Sequence, residues 1–494
     1  MANGGPCEAC QAIKPIELQM ARQHEQHREL CARINDCHDP LSTRPAEIAS
    51  LIFEFVVAPF SPGADPDCIR SLQYKKGLKA RFALSGVCKL WRAIAFNTPR
   101  LWTALAVPIN SPLEEQWQDK LLREWLERAK RISLSVYLYR LPVAKGTVED
   151  DTFAHTQNLI ELICTNSSPR WEVLSLHNIP PNVFPYISAI MQAGKVVDSV
   201  FINNQHKVAT PVLLDLSRIR PKMLYRRLKP PMDMAVSFAE LTDVHFDFLR
   251  VEDYFHVLIM APKLQRLEVD LVNNLNSQPT LIPHIVHSEL KELVIDFRLA
   301  RLEAFIGILV LPSLEKLVAR GPEDNLPLRL VQELLDRSSC QLKELSIEGM
   351  VYSSPDLLEF LRGLSLVEHL ELKPTQSAAY DLAPLLQLFT ETALLNDGEA
   401  ALTSFLPRLR SFVYGVDCSY TYDWPDPPMP WGLFGGVFGP LEELSNPRRR
   451  PLRSVKICFK ELPTPFDIDD ECIGMFIQLG KAGLEFLIDF ELRI

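Results

Sequence analysis

A few short stretches of this chain carry the residue types that metal or phosphate chemistry requires. Cys7-x-x-Cys10 has the spacing of half a zinc site, with His24, His27, Cys31, Cys37 and His38 as residues that could complete it. No second Cys-x-x-Cys follows, and the histidines fall on a charged helical segment, so the pair reads as exposed terminal thiols. Asp467, Asp469, Asp470 and Glu471 form an acidic run able to face a cation. Acids also favour a helix start, where free N–H groups carry partial positive charge, and that is the reading here. Arg448–Arg450 is a basic run of the kind that meets phosphate or directs nuclear import. Gly432, Gly435, Gly436 and Gly439 are not a phosphate loop, because no Lys-Ser/Thr pair and no strand-to-helix turn accompany them.

The chain also lacks G-x-S-x-G, a Walker loop and H-E-x-x-H. Nothing assembles a nucleophile with a base. The expectation is a protein that is not itself an enzyme, with no catalytic residues, no metal and no cofactor.

At 494 residues the chain is too long for one core, which points to several domains or a repeat array. Its 47% hydrophobic and 23% charged residues are those of a soluble globular protein. No apolar run reaches the roughly eighteen residues of a membrane span, and no secretory leader is legible at the N-terminus. The 11 scattered cysteines suit reduced thiols in cytoplasm or nucleus. A net charge of −10 disfavours bulk nucleic-acid binding.

Stepping along the elements, residues 1–14 are expected to be mobile, and Ile16 to Ile34 a polar helix with a thin stripe of Ile16, Met20, Leu30 and Ile34. That stripe lacks a sustained heptad pattern. Pro45 to Val57 makes a helix, with Ser42 or Thr43 as cap candidates. Ile48, Leu51, Ile52 and Phe55 lie on one stripe of it. A long polar loop is expected over Ala58–Ala80. Leu84, Val87, Cys88, Trp91, Ile94 and Ala95 then recur at helical spacing, predicting one helix that Thr98-Pro99 ends. Leu113 to Lys130 is amphipathic, with Trp117, Leu121, Leu122, Trp125 and Leu126 on its inner face. Ile132 to Leu138 alternates as a strand.

From there one phrase recurs. Leu241-x-x-Val244-x-Phe246 is followed by copies starting at Leu264, Leu290, Leu314, Leu342 and Val367, in steps of 23, 26, 24, 28 and 25 residues. Earlier copies start at Trp171 and Val197, later ones at Leu409 and Leu452. A period of this length with L-x-x-L-x-L predicts an α/β leucine-rich-repeat solenoid, a curved parallel sheet with outer helices. The fourth and sixth positions face the core. Asparagine is missing from the ninth position, where Val272, Arg298, Pro322 and Met350 stand, so the repeats are irregular. Residues 203–238 hold at most one poor repeat. The aromatic and proline-rich stretch near 417–440 reads equally as a recognition loop or a packed cap.

In this phasing the third, fifth and seventh positions share the concave face. They include Asp243, Asp247, Glu268, Asp270, Glu292, Asp296, Glu344, Glu348 and Glu371, against Arg266, Lys316, Arg320 and Lys373. The face is expected to be net negative and to suit a basic protein target, the eight acids from Asp243 to Glu348 being the candidate substrate contacts.

The two helical stretches carry a more specific pattern. P-x-E-I-x-x-x-I-F from Pro45, then A-L-S-x-V-C-x-x-W-R-x-I-A-x-x-T-P-x-L-W from Ala83, resembles the F-box of mushroom-forming fungi. The family's usual Leu-Pro opening is Arg44-Pro45 here. The resemblance implies a helical module that docks the Skp adaptor of a cullin-RING ubiquitin ligase. It implies adaptor contacts at Pro45, Ile48, Leu51, Ile52, Leu84, Val87, Cys88, Trp91 and Trp102, some of which must instead hold the module together. The expected organisation is residues 1–38 as tail and polar helix, 39–109 as F-box module, and 110–494 as degenerate repeats with caps. The expected function is substrate recognition for such a ligase. The rival is a non-catalytic scaffold whose helices cap the repeats and would bury Ile48, Ile52 and Phe53.

Overall fold

The computed structural model describes residues 7–57, 72–109, 115–140, 157–163, 171–190, 195–204, 212–228, 232–272, 284–299, 306–321, 328–348, 354–374, 382–394, 405–416, 429–459 and 468–490. The chain divides into two compact units: Met1–Ala193 with Phe201–His206, and Gly194–Val200 with Lys207–Ile494. The fold is α/β, no described helix is long and apolar enough to cross a membrane, and the strands of the main sheet run parallel.

The first unit opens with α1 (Glu8–His38), α2 (Ala46–Val56), α3 (Leu72–Val87) and α4 (Lys89–Asn97). The stretch expected to be mobile is helical from Glu8, because Glu, Ala, Gln and Lys are strong helix formers and Glu8 sits in the first turn. Every described side chain of α1 from Gln11 to Ile34 is exposed. The expected loop over Ala58–Ala80 is also shorter than anticipated. α3 already begins at Leu72, a polar helix without an apolar stripe, which composition alone reads as loop.

The single helix expected across Ala83–Asn97 is two. Cys88 adopts φ −153° and ψ 175°, leaving helical geometry, and its Sγ accepts from the Trp91 backbone N–H at 3.4 Å as the cap of α4. Neither Ser42 nor Thr43 caps α2; Pro45 itself occupies the cap position.

These helices close around aromatic side chains. Phe53 of α2 lies 5.1 Å from Trp91 between ring centroids, and Trp91 Nε1 donates to Asp39 at 2.8 Å. Leu101 and Trp102 are buried. Trp102 Nε1 donates to the Ala95 carbonyl at 2.8 Å, satisfying the one polar atom of a buried indole. Helix α5 (Glu115–Arg128) brings Trp125 edge-on to Trp102 at 4.9 Å, and Trp125 Nε1 donates to the Trp102 carbonyl. Leu122 and Trp125 face inward as expected, but Leu121 is exposed; the side chain of Trp117 lies outside the described residues.

Strand β1 (Ala104–Pro108) follows Trp102 directly and pairs in parallel with β2 (Leu134–Tyr139), which pairs with β3 (Trp171–His177). β1 went unseen in the sequence because its alternation is only five residues long. β4 (Lys195–Asn204) contains a point of division between the units.

The second unit continues through β5 (Val212–Leu216), β6 (Ile219–Leu228), β7 (Met232–Val236), β8 (Asp243–Arg250), β9 (Arg266–Val272), β10 (Ile285–Val286) and β11 (Glu292–Leu299). It ends with β12 (Leu309–Val310), β13 (Lys316–Arg320), β14 (Glu344–Glu348), β15 (His369–Lys373), β16 (Ser411–Val416), β17 (Ser454–Phe459) and β18 (Glu485–Phe490). Its main sheet runs β6-β8-β9-β11-β13-β14-β15-β16-β17-β18, while β5-β7 and β10-β12 form separate pairs.

The register follows the sequence phrase. Val244 pairs with Leu267, Leu267 with Leu293, Leu293 with Leu317, Leu317 with Leu345, Leu345 with Leu370, and Leu370 with Phe412. Each of these fourth-position side chains is buried, and the sixth position makes an equally buried row from Phe246 to Tyr414. Burial of both rows fixes the register, since a one-residue slip would turn them into solvent. In β6 the aligned positions are Leu224 and Arg226, so the single poor repeat expected between 203 and 238 is the one in the sheet.

Helices Leu328–Ser338, Ser354–Arg362 and Ala383–Glu391 lie in the connections, burying Leu334, Leu357, Leu361 and Phe389 among others. Near the C-terminus, Phe434 and Phe438 are buried and Trp431 packs 5.9 Å from Phe434, so the described end of the aromatic stretch is packed core. Tyr420, Tyr422 and Trp424 lie outside the described residues. Asp469 caps helix Asp470–Lys481 by accepting from the Cys472 N–H, which makes the described part of the acidic run a helix start; Asp467 lies outside the described residues.

Candidate functional site

Two surfaces collect the residues the sequence singled out, one in each unit. In the first, α2 presents two opposed stripes. Ala49 and Phe53 turn inward and are buried. Ile48, Leu51, Ile52 and Phe55, at i, i+3, i+4 and i+7, turn outward, Leu51 at 57% and Phe55 at 87% exposure. Val56 is exposed beside them. Val87 and Leu90, on either side of the break at Cys88, are exposed as well.

The structure therefore sorts the anticipated contacts. Pro45, Ile48, Leu51, Ile52 and Val87 are at the surface; Cys88 and Trp91 are half-buried; Leu84 and Trp102 are interior. Leu84 and Trp102 hold the bundle together and are not free to touch a partner. Phe55 is the most exposed of the large apolar side chains in this region, and periodicity placed it on the right stripe without marking it as a contact.

The second surface is the charged face of the sheet in the other unit. Its acids do not stand alone. His245 lies between Asp247 and Glu268, with Nε2 2.8 Å from Asp247 Oδ1 and Nδ1 3.1 Å from Glu268 Oε2. Arg227, from β6, reaches Asp247 at 2.9 Å, and Tyr225 stacks on the His245 ring at 4.5 Å. Glu292 lies 3.5 Å from Arg266 and 3.1 Å from Lys316, and Lys316 is also 3.5 Å from Glu344. Arg320 joins Glu268 at 3.2 Å to Glu348 at 3.0 Å. Asp243 accepts from the Thr242 hydroxyl at 2.7 Å and, like Asp270, is half-buried.

Burial disfavours a charged imidazole, but hydrogen bonds to Asp247 and Glu268, and their charges, outweigh it and raise the His245 pKa to about 9. The same hydrogen bond from His245 acts most strongly on Glu268, against burial and together with Arg320, and lowers it to about 2. His245 is therefore a cation at neutral pH, although a sequence count treats it as neutral.

This corrects the expected acidic face in two ways. Asp247 and Asp296 are buried, 6% and 4% exposed, so neither offers a carboxylate to a partner. Glu268, Glu292, Glu344 and Glu348 are laced to cations, and Asp247 is held by Arg227, which lay outside the repeats read from the sequence. The face is a salt-bridge lattice with partly exposed carboxylates such as Glu344, not an open acidic field.

Among the described residues no group of three or more His, Cys, Asp or Glu is placed to hold a metal ion. Cys31 of α1 has its sulfur 3.8 Å from the His27 ring nitrogens. No family model matches the chain, and no curated protein matches it.

Proposed function

We propose that this protein is the substrate-recognition adaptor of an SCF-type cullin-RING ubiquitin ligase, acting in cytoplasm or nucleus. The helices of the first unit dock a Skp-type adaptor, and through it cullin, while the repeats of the second unit hold a protein target. Catalysis then belongs to the assembly. A captured target lysine meets activated ubiquitin at high effective concentration, and this chain supplies only position.

The observation that supports this reading is the outward stripe Ile48, Leu51, Ile52 and Phe55 on a helix whose opposite stripe is already buried. An apolar helix face left in water marks a binding surface. The F-box pattern of the sequence names the partner. In the scaffold alternative Ile48, Ile52 and Phe53 would all be covered as a cap; Phe53 is buried, but against Trp91 of its own bundle, and the exposure of Ile48 and Ile52 speaks against that alternative. On the target side, the lattice leaves Glu344 and Asp243 as better placed contacts for a basic segment than Asp247 or Asp296.

The test is co-purification of the full chain with a Skp-type adaptor, wild type against a Leu51→Asp, Phe55→Asp double variant. Both side chains are exposed, so the variant keeps its bundle, verified by circular dichroism. Stoichiometric capture by wild type and its loss in the folded variant are expected. A folded wild type that captures no adaptor would overturn the reading.

A further inference from the structure

The basic run Arg448–Arg450 does not remain a linear motif. Arg450 is 1% exposed and turns into the core, where its guanidinium donates to the carbonyls of Phe389, Thr392 and Phe405. Arg449 points elsewhere and joins Arg453 along a cleft of about 370 Å³ in the second unit. Arg450, Asn446, Pro447, Pro451 and Leu484 also line it, and among the described residues no Asp or Glu does.

Among the described residues neither Arg449 nor Arg453 has an acidic ion-pair partner. Arg449 Nε donates to the Phe438 carbonyl at 2.6 Å, but its Nη2 is buried with no hydrogen-bond partner. A buried guanidinium nitrogen left unsatisfied is costly, and a turn of the side chain towards an acceptor in the cleft would relieve that cost. Burial first, and then the like charge of Arg453, hold the Arg449 guanidinium below its ordinary pKa. Arg453 is exposed, so it meets an incoming anion first. Both polar ends of Asn446 are engaged locally, Nδ2 with Glu443 and Oδ1 with the Arg448 N–H, leaving the arginines as the donors.

Two guanidinium groups lining one cleft match a dianion, and their forked N–H geometry matches phosphate oxygens. The cleft is larger than a bare phosphate requires and falls in the size range of small-ligand sites. Its proline and leucine walls suit a compact organic group. We propose that this cleft binds a phosphate monoester, its dianionic head on Arg449 and Arg453 and its body against Pro447, Pro451 and Leu484. The site stands independently of the adaptor role.

Calorimetric titration of the full chain with phenyl phosphate and, separately, with inorganic phosphate tests this. Phenyl phosphate is expected to bind, and Arg453→Ala to weaken it about tenfold or more while the unliganded melting temperature stays that of wild type. Arg453→Lys, which keeps the charge, is expected to retain part of the affinity and serves as the folded comparison if Arg453→Ala is unstable. Tighter binding of the ester than of inorganic phosphate supports a seated organic group. Equal binding supports the anion site and assigns free phosphate as its ligand. Absence of binding by either compound at about 10 mM, far weaker than a millimolar site, or undiminished affinity in folded Arg453→Ala, would overturn the proposal.

Discussion

Arg320 reaches across a neighbouring strand to Glu268: its Nη1 stands 3.2 Å from Oε1, although β11 lies between β13 and β9. The same guanidinium holds Glu348 on the other side at 3.0 Å. One side chain of β13 thus ties β9 and β14 across a span of four strands, and Asp296 of the intervening β11 is buried opposite Arg320 in the β11–β13 register.

Removing that tie leaves Glu268 to His245 and Glu348 to a Lys373 ammonium 3.9 Å away, each half-buried carboxylate losing its arginine. Arg320→Gln is expected to destabilise the second unit by about 1–2 kcal/mol, reduced from the value for a fully buried pair by partial exposure. Urea unfolding compared with wild type measures it, and an unchanged midpoint would show that the lattice is only surface decoration.

The lattice also carries a pH signature. His245 has a folded pKa of about 9, above its ordinary 6.5, so its contribution is complete below 6.5 and fades as pH rises through 9. Glu268, lowered from 4.5 to about 2, contributes fully above 4.5 and fades as pH falls through 2. The two together contribute most between pH 4.5 and 6.5. The urea midpoint is expected to decline between pH 6.5 and 9.5, and His245→Gln to flatten that decline. A parallel decline in the variant would assign the effect to other groups.

Helix α2 should separate stability from binding. Phe53 is buried against Trp91, so Phe53→Ala is expected to cost about 3–5 kcal/mol. Leu51→Ala, on the exposed stripe, is expected to fall within about 0.5 kcal/mol of wild type. Thermal unfolding of the two variants checks the contrast; similar costs would mean that the outward stripe is packed in solution.

Arg450 is a buried cation held by carbonyl oxygens and by the Phe389 ring 5.1 Å away, and burial lowers its pKa to about 10. Lysine cannot reproduce the planar fork. Arg450→Lys is therefore expected to destabilise by about 2 kcal/mol or more despite keeping the charge. Chemical denaturation at pH 7 reads the loss directly.

Deleting residues 1–38 should leave the melting temperature unchanged, because the described side chains of α1 from Gln11 to Ile34 are exposed. Asp39 must be kept, since it accepts from Trp91. A marked drop on calorimetry would reveal that α1 has a partner in solution.

Much of the second unit was legible because its requirement is local and repeated. An apolar side chain at the fourth and sixth positions must leave water on every pass, and identical spacing forces identical register, as Leu267, Leu293 and Leu317 do. The fourth position of β6 also obeys the phrase through Leu224, but Arg226 at the sixth hid it. The break at Cys88 was not legible. Helical periodicity runs smoothly through one residue whose φ and ψ leave the helix, and the contacts that accompany the break, Asp39 to Trp91 and Phe53 on Trp91, come from residues far back along the chain.

Amino-acid order by itself determined which faces are apolar, where strands recur and which residues bear charge. Tertiary structure alone decided that Leu84 and Trp102 are bundle core while Leu51 and Phe55 are surface, because helical spacing says which residues share a face and not what covers it. It alone decided the pairing of charges. Glu268 and Arg320 are 52 residues apart, and such partners are chosen by lateral strand neighbours, for which order along the chain holds no distance.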